Sequence, residues 1–481
     1  MMNSWSLAAR NLLRNRRRSL ATLLALAIGS IATLLFGGYA RNIATSMETA
    51  YIRAGGHLQI QHRDYFVFGS SDPTAYGIKD YRRVMDAIRA DDVLRERITV
   101  MSPTLQFSGV AGNFDQGLSK SVVGFGFVPK DVNAMRTWNE FDIPLDTPPI
   151  VLDDRHPDGA VIGMGVARLL QLCKALALTD CPQPSQPAGR EAEADKPAPS
   201  AAKTALGADL AQLSDLEAGD GARAQDSRGT KAAPRIELLA GHANGTPNVA
   251  SLAVLAAELQ GFKELDDVAV MLSLDQAQRL IYGRSPPRAT AIMVQLQHTD
   301  TMAAVQARLQ ALIDGLKLDQ PLTVIDYQTL NPYFVQTLSL FDTIFTFIFA
   351  LIGSIVLFTV SNTVNTAVVE RTVEIGTLRA MGLRRQQVQN LFVMEGTLLG
   401  VVGAFGGLIA SLLIAGLVNS LGLTWLPPGT SEPLPLVLRV WGETRMLAGA
   451  TIGLILIAVV SAWWPSRRAA RLNVVESLRH T

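Results

Sequence analysis

The chain has 481 residues, enough for two or three domains, and sets 43 Lys and Arg against 42 Asp and Glu. So even a balance excludes the basic face that nucleic-acid binding requires. Charged residues make up only 18% of the chain and mean hydropathy is +0.21, which directs attention to the membrane.

Residues 1–18 place Trp5, Ala8, Ala9, Leu12 and Leu13 at helical spacing, with arginines following. This pattern predicts an amphipathic helix lying at a membrane interface. Four windows contain no charged residue: 19–40, 343–369, 396–431 and 446–466. Each exceeds the roughly 20 apolar residues a helix needs to cross a hydrocarbon core of about 30 Å. The first window, 19–40, has the basic start of a signal peptide. Its run is longer than the usual apolar stretch of about 7–15 residues, and Gly38-Tyr39-Ala40 is a poor cleavage site, so a retained anchor is expected.

Residues 41–337 form the next unit. Apolar alternation begins at Gly56-His57-Leu58-Gln59-Ile60-Gln61, a strand pattern. Further strands are predicted at 98–107, 121–128, 268–272, 289–297 and 322–325, and helices at 80–90, 161–177, 274–281 and 299–316. The mixture predicts an α+β domain, with 289–325 as a βαβ unit of a ferredoxin-like subdomain. Cys173 and Cys181 stand eight residues apart. An oxidising compartment allows them to close a small disulfide loop, and two free thiols is the equal alternative. Neither their spacing nor the scattered His residues resembles a metal site. Residues 182–235 are rich in Ala, Pro, Gly, Ser, Asp and Lys, and no aromatic side chain other than His occurs from 142 to 261. Such a stretch buries too little apolar surface to offset its ordering entropy, so a disordered insertion is expected; a tether or partner-binding strip is the functional alternative.

Three more spans follow: 338–369, 389–421 and 446–465, separated by a connection at 370–388 and a short loop at 422–445, with a tail at 466–481. Gly396, Gly400, Gly403 and Gly407 in the third span, and Gly449 and Gly453 in the fourth, have the four-residue spacing that lets helix backbones approach closely in lipid. Trp425 and the Trp463-Trp464 pair suit interfacial belts, and Pro465 is expected to stop or kink the last helix. Arginines concentrate before the first span (Arg10, Arg14, Arg16, Arg17, Arg18), between spans two and three (Arg371, Arg379, Arg384, Arg385) and after the fourth (Arg467, Arg468, Arg471, Arg479). By the positive-inside rule both termini and the middle connection are cytoplasmic and residues 41–337 lie outside.

No catalytic constellation is visible. The chain has no Gly-Lys pair, hence no phosphate-cradling loop, and no H-E-x-x-H, C-x-x-C or G-x-S-x-G. Charge is nearly absent inside the spans, unlike proton- or ion-coupled transporters. The informative segment is Glu370-Arg371-Thr372-Val373-Glu374-Ile375-Gly376-Thr377-Leu378-Arg379-Ala380-Met381-Gly382. Val373, Leu378 and Met381 can share a helical face, Arg371 and Glu374 are spaced to pair, and Gly382 suits a helix C-cap.

Glu370-Arg371-x-x-Glu374-Ile375-Gly376-x-Leu378-Arg379-Ala380-x-Gly382 resembles the signature of the FtsX-like permease family, which includes the MacB, LolC and LolE types of ABC transporter subunit. The tail from Pro465 to Arg479 resembles the family's ending, with Val474 where Pro is common. Ala8 to Arg18 and Val161-Ile162-Gly163-x-x-Val166-Ala167 are also similar. The resemblance implies a membrane protein with four transmembrane helices, one before and three after a MacB-like extracytoplasmic α+β domain. The setting would be a bacterial inner membrane, with that domain in the periplasm. It implies a non-catalytic permease that binds no cofactor, served by a separate ATPase chain holding ATP and Mg. Motion of that ATPase would move the outer domain by mechanotransmission. Glu370, Arg371, Glu374, Gly376, Leu378, Arg379, Ala380 and Gly382 become the ATPase-coupling segment, with Glu395 either as its anchor through a nearby Arg or, equally, as a snorkelling interfacial carboxylate. Expected partners are that ATPase, a second or sibling permease, membrane lipid, and a periplasmic adaptor or substrate protein. The cargo would be a lipoprotein, lipid or peptide of the envelope, and Gly56-His57-Leu58 leans toward lipoprotein release. The alternative is a signal transmitter that switches a periplasmic cell-wall hydrolase.

Overall fold

A computed structural model describes residues 10, 14, 16–69, 72–143, 148–152, 156–178, 233–242, 245–261, 263–425 and 434–471. Helix α1 (Arg16–Gly55) leads into strand β1 (Leu58–His62), helices α2 (Tyr81–Ala90) and α3 (Asp92–Arg97), and the long strand β2 (Ile98–Asn113). Strand β3 (Leu118–Phe127), helix α4 (Pro129–Arg136), strand β4 (Gly159–Gly163) and helix α5 (Met164–Leu169) follow. Strands β5 (Arg235–Gly241), β6 (Pro247–Glu258) and β7 (Ala269–Ser273) precede helix α6 (Leu274–Tyr282), strand β8 (Ala291–Leu296), helix α7 (Met302–Gly315) and strand β9 (Leu322–Asp326). The chain ends in helices α8 (Pro332–Glu370), α9 (Thr372–Ala380), α10 (Arg385–Ser420) and α11 (Thr444–Ala470).

The α+β domain has two halves. In the first, β1 lies antiparallel between β8 and β9, and β2 borders β8 on its other side. The order β2-β8-β1-β9, with α2 and α3 between β1 and β2 and α7 between β8 and β9, is the ferredoxin-like arrangement. Tyr81, Val84, Met85 and Ile88 recur at helical spacing on α2 and pack with Val305, Leu309 and Ile313 of α7 over β1, β8 and β9. Asp91 caps α3, its carboxylate accepting from the Val93 and Leu94 amides at 3.1 Å.

The second half is inserted between β2 and β8. Strand β2 pairs with β3 on one edge and β5 on the other, and β3-β7-β4-β6-β5 completes the circuit, so six strands close into a barrel. Leu105, Phe107, Val122, Ile162, Leu238, Leu252 and Leu272 fill its interior. The stretch expected to be a helix over 161–177 begins instead as β4. Its five residues are all buried between β6 and β7, a setting that favours the β-branched Val161-Ile162. Helix survives only in α5. The expected insertion at 182–235 lies outside the described residues up to 232, and Arg235 already belongs to a strand.

Helices α1, α8, α10 and α11 are long and apolar enough to cross a membrane. They form a bundle in which α10 contacts α1 and α11, and α8 contacts the same two from the opposite side. A Cβ on Gly396 would overlap the Ala462 methyl, and one on Gly400 would lie 2.7 Å from that of Ala458. A Cβ on Gly403 would lie 2.5 Å from that of Leu26, and one on Gly407 2.7 Å from the Ala27 carbonyl oxygen. One glycine pair of α10 therefore seats α11 and the next seats α1, while a Cβ on Gly453 would lie 2.8 Å from the Phe349 ring. Gly449 differs from the close-packing expectation, since a Cβ there meets nothing within 4 Å. Pro465 does not end the last helix either, which runs on to Ala470.

Candidate coupling site at the arginine-rich end of the bundle

Helix α8 breaks at Arg371, whose φ of −109° and ψ of 24° leave the helical region, and α9 restarts at Thr372. The break is held from behind. Arg371 donates from Nη1 to Glu395 Oε1 of α10 at 2.9 Å, with the two side chains 8% and 6% exposed. The expected Arg371–Glu374 pair is replaced by this one. Glu374 turns the other way and accepts from Arg14 at 2.7 Å, while Arg18 forks onto Glu370 at 3.0 and 2.5 Å. Sequence spacing suggested the local pair because it cannot display partners more than 350 positions away.

Ile375 and Gly376 face inward, Ile375 joining Phe392, Val388 and Ala469 in the bundle's core. Outward stand Val369, Val373 and Met381, 66%, 47% and 70% exposed, with Thr377 and Ala380 exposed beside them and Leu378 and Arg379 half-buried. The helix ends as a Schellman motif. Gly382 has φ +96°, its amide donates to the Arg379 carbonyl, and the Leu383 amide donates to Leu378, each at 3.1 Å. A side chain with a Cβ would be strained at that φ.

At the other end, α1 and α8 enter the α+β domain through one aromatic cluster of Ile52, Trp138, Tyr327 and Phe334. Arg53 donates to the Trp138 carbonyl at 2.6 Å, Tyr327 donates to Glu48 at 2.8 Å, and Gln295 donates to the Met135 carbonyl at 3.0 Å. Arg136 at the end of α4 pairs with Glu258 of the barrel at 3.2 Å. His57 is buried against the Trp138 ring, centroids 5.0 Å apart. Its Nδ1 accepts from the Leu296 amide at 3.0 Å, which leaves Nε2 facing Thr299 Oγ1 at 3.3 Å. Burial pushes this imidazole down from 6.5 to about 4. The sequence marked Gly56-His57 as a strand start and could not show the ring's setting.

Cys173 lies in the turn after α5, its Sγ 3.9 Å from the Ala167 carbonyl. Cys181 and any pairing with it lie outside the described residues, as do residues 1–9 and the tail from 472. Among the described residues no group of His, Cys, Asp or Glu has metal-binding geometry.

Residues 343–474, which carry most of α8 and all of α9, α10 and α11, match the family model for the FtsX-like permease C-terminal region. That stretch is similar to the C-terminal region of FtsX-like permeases. It is 25% identical over 218 residues to an uncharacterised ABC transporter permease of Methanocaldococcus jannaschii, covering 44% of this chain and 51% of that protein. It is 33% identical over 143 residues to the macrolide export ATP-binding/permease protein MacB of Sodalis glossinidius, covering 30% of this chain and 20% of that one. With the lipoprotein-releasing system protein LolC of Xylella fastidiosa it shares 21% over 230 residues, 46% of this chain and 53% of LolC. The matched stretches thus span about half or less of these relatives. Among solved structures, the periplasmic region of MacB from Actinobacillus actinomycetemcomitans aligns with a TM-score of 0.29 at 11% identity, covering 59% of this chain and 94% of that one.

Proposed function

We propose that this FtsX-like chain is the permease of an ABC transporter whose ATPase is a separate chain docking on α9. The α9 end of the bundle then faces the cytoplasm and the α+β domain the periplasm, as the arginine distribution expects. One observation carries the reading. The outward side of the coupling segment presents Val369 at the end of α8, Val373 on α9 and Met381 at its C-cap unburied, while Ile375 and the Arg371–Glu395 pair fix its back to the bundle. An exposed apolar face on a firmly backed helix is the form of a docking surface. Helix α8 runs from there for 39 residues, about 58 Å at 1.5 Å per residue, into the Tyr327–Phe334 cluster. Helix α1 returns over 40 residues to the same cluster. Displacement of α9 would reach the outer domain along two rods that end side by side.

The chain itself would then do no chemistry. ATP and Mg belong to the partner, and the outer domain would extract, release or export an envelope substrate such as a lipoprotein, lipid or peptide. Purification from native membranes tests this. An ATPase should co-purify with the wild-type chain and be lost, by about tenfold or more, from a Val373→Asp, Met381→Asp variant, which corresponds to about 1.4 kcal/mol or more of binding. A stoichiometric cell-wall hydrolase without lipid or lipoprotein cargo would favour signalling over transport.

A further inference from the structure

We propose that Arg14 and Arg18 latch the coupling segment to α1, so that α1 is driven directly by α9 and not only dragged through the bundle. The proposal rests on the permease reading above and deepens it. Arg14 and Arg18 stand four residues apart at the start of the first span, and Glu370 and Glu374 stand four apart across the break between α8 and α9, so the two pairs are equally spaced. The two pairs meet as rungs: Arg18 on Glu370 through two bonds, Arg14 on Glu374 through one. The rungs straddle the break at Arg371, with Glu370 ending α8 and Glu374 in the first turn of α9. Any tilt of α9 relative to α8 therefore pulls on the start of α1. Thr22 Oγ1 and Thr363 Oγ1, 2.7 Å apart one turn deeper, extend the same seam.

Chemistry favours a latch over a structural brace. Both pairs are substantially exposed, with side-chain exposures of 65% and 52% for Arg14–Glu374 and 31% and 44% for Arg18–Glu370. Exposed pairs add little to folding, and the buried Arg371–Glu395 pair already anchors the segment. What the rungs supply is direction, because a forked guanidinium–carboxylate contact holds two groups at a fixed angle. Helix α1 is the shortest covalent route outward, since Gly55 is followed almost at once by β1 in the middle of the ferredoxin-like sheet.

The test uses the full chain with its co-purified ATPase in lipid nanodiscs. Hydrogen exchange is read at residues 47–57, the end of α1 and its junction with β1, and at 332–338 of α8, with and without ATP and vanadate. In an Arg14→Glu, Arg18→Glu variant, ATPase co-purification and hydrolysis should stay within twofold of wild type. The ATP-dependent exchange response at 47–57 should fall at least fivefold, with 332–338 less affected. Arg14→Lys with Arg18→Lys keeps the charge without the fork and should give an intermediate response. An Arg14→Cys, Glu374→Cys protein should respond fully when oxidised and show a weakened response at 47–57 when reduced, with the Arg18–Glu370 rung left, against wild type treated identically. A full response at 47–57 in the charge-reversed variant, or an oxidised cross-link that arrests it, overturns the latch. Wild type that shows no ATP-dependent response anywhere overturns the permease reading and the latch with it.

Discussion

Arg371 and Glu395 are the residues on which the site's stability most depends. A buried ion pair contributes little net energy over apolar replacements, but removing one partner strands the other charge at a cost of about 3–5 kcal/mol. Glu395→Ala should therefore lower the melting temperature of the detergent-solubilised chain clearly, and Arg371→Met with Glu395→Leu should recover most of the loss. Equal melting of both variants would show that the pair is not buried as described. His57 gives a second residue-scale test, through pH. Its folded value, about 4, lies below the ordinary 6.5, so between those values the unfolded chain binds more protons. Stability is then complete above about 6.5 and declines as pH falls toward 4, by up to about 3 kcal/mol at 1.36 kcal/mol per unit. Melting between pH 7.5 and 4.5 should fall more steeply in wild type than in His57→Asn. Parallel slopes would place the sensitivity elsewhere.

At the scale of elements, the glycines of α10 separate packing from composition. Gly396→Ala would drive a methyl into Ala462, and overpacking of this kind costs about 1–3 kcal/mol. Gly449→Ala meets open space and removes a flexible residue from a helix, so it should be neutral or stabilising by up to about 1 kcal/mol. Thermal melts of the two variants should move in opposite directions. The four-residue spacing was legible in the sequence, but which helix each glycine faces was not, because spacing repeats and facing depends on the whole bundle. Strands show the same limit. The whole of β8, most of β1, β3, β7 and β9, and the first part of β2 were legible from alternation or apolar runs. By contrast β4 has apolar residues on both faces and reads equally well as helix. Strands β5 and β6 adjoin the Ala- and Pro-rich stretch, whose composition masked them. Barrel closure was invisible, since it depends on β2 being long enough to pair on both edges.

For the whole molecule, the four apolar helices and the single large domain between the first and second were plain from charge-free windows, since buried helices of soluble chains seldom stay uncharged for so long. The coupling segment was also plain as a motif, yet its fastening was not: among the described residues, Glu370, Arg371 and Glu374 pair with side chains from other parts of the bundle. Those partners give the layout its consequence, because the segment's back is tied to α10 and its flank to the start of the first span, while among the described residues the side carrying Val369, Val373 and Met381 stays open. A push on that face has two continuous helices to follow, and both end in the cluster around Trp138, which Arg53 and Gln295 join to α4 and β8. The most direct measurement is hydrogen exchange across the Trp138 cluster in the ATPase-bound chain, with and without ATP. Exchange at residues 132–141 and 332–338 should change on ATP binding in wild type and stay constant in Val373→Asp, Met381→Asp. Changes confined to α9 and its neighbours, with the Trp138 cluster silent while ATP is bound, would contradict transmission along the helices.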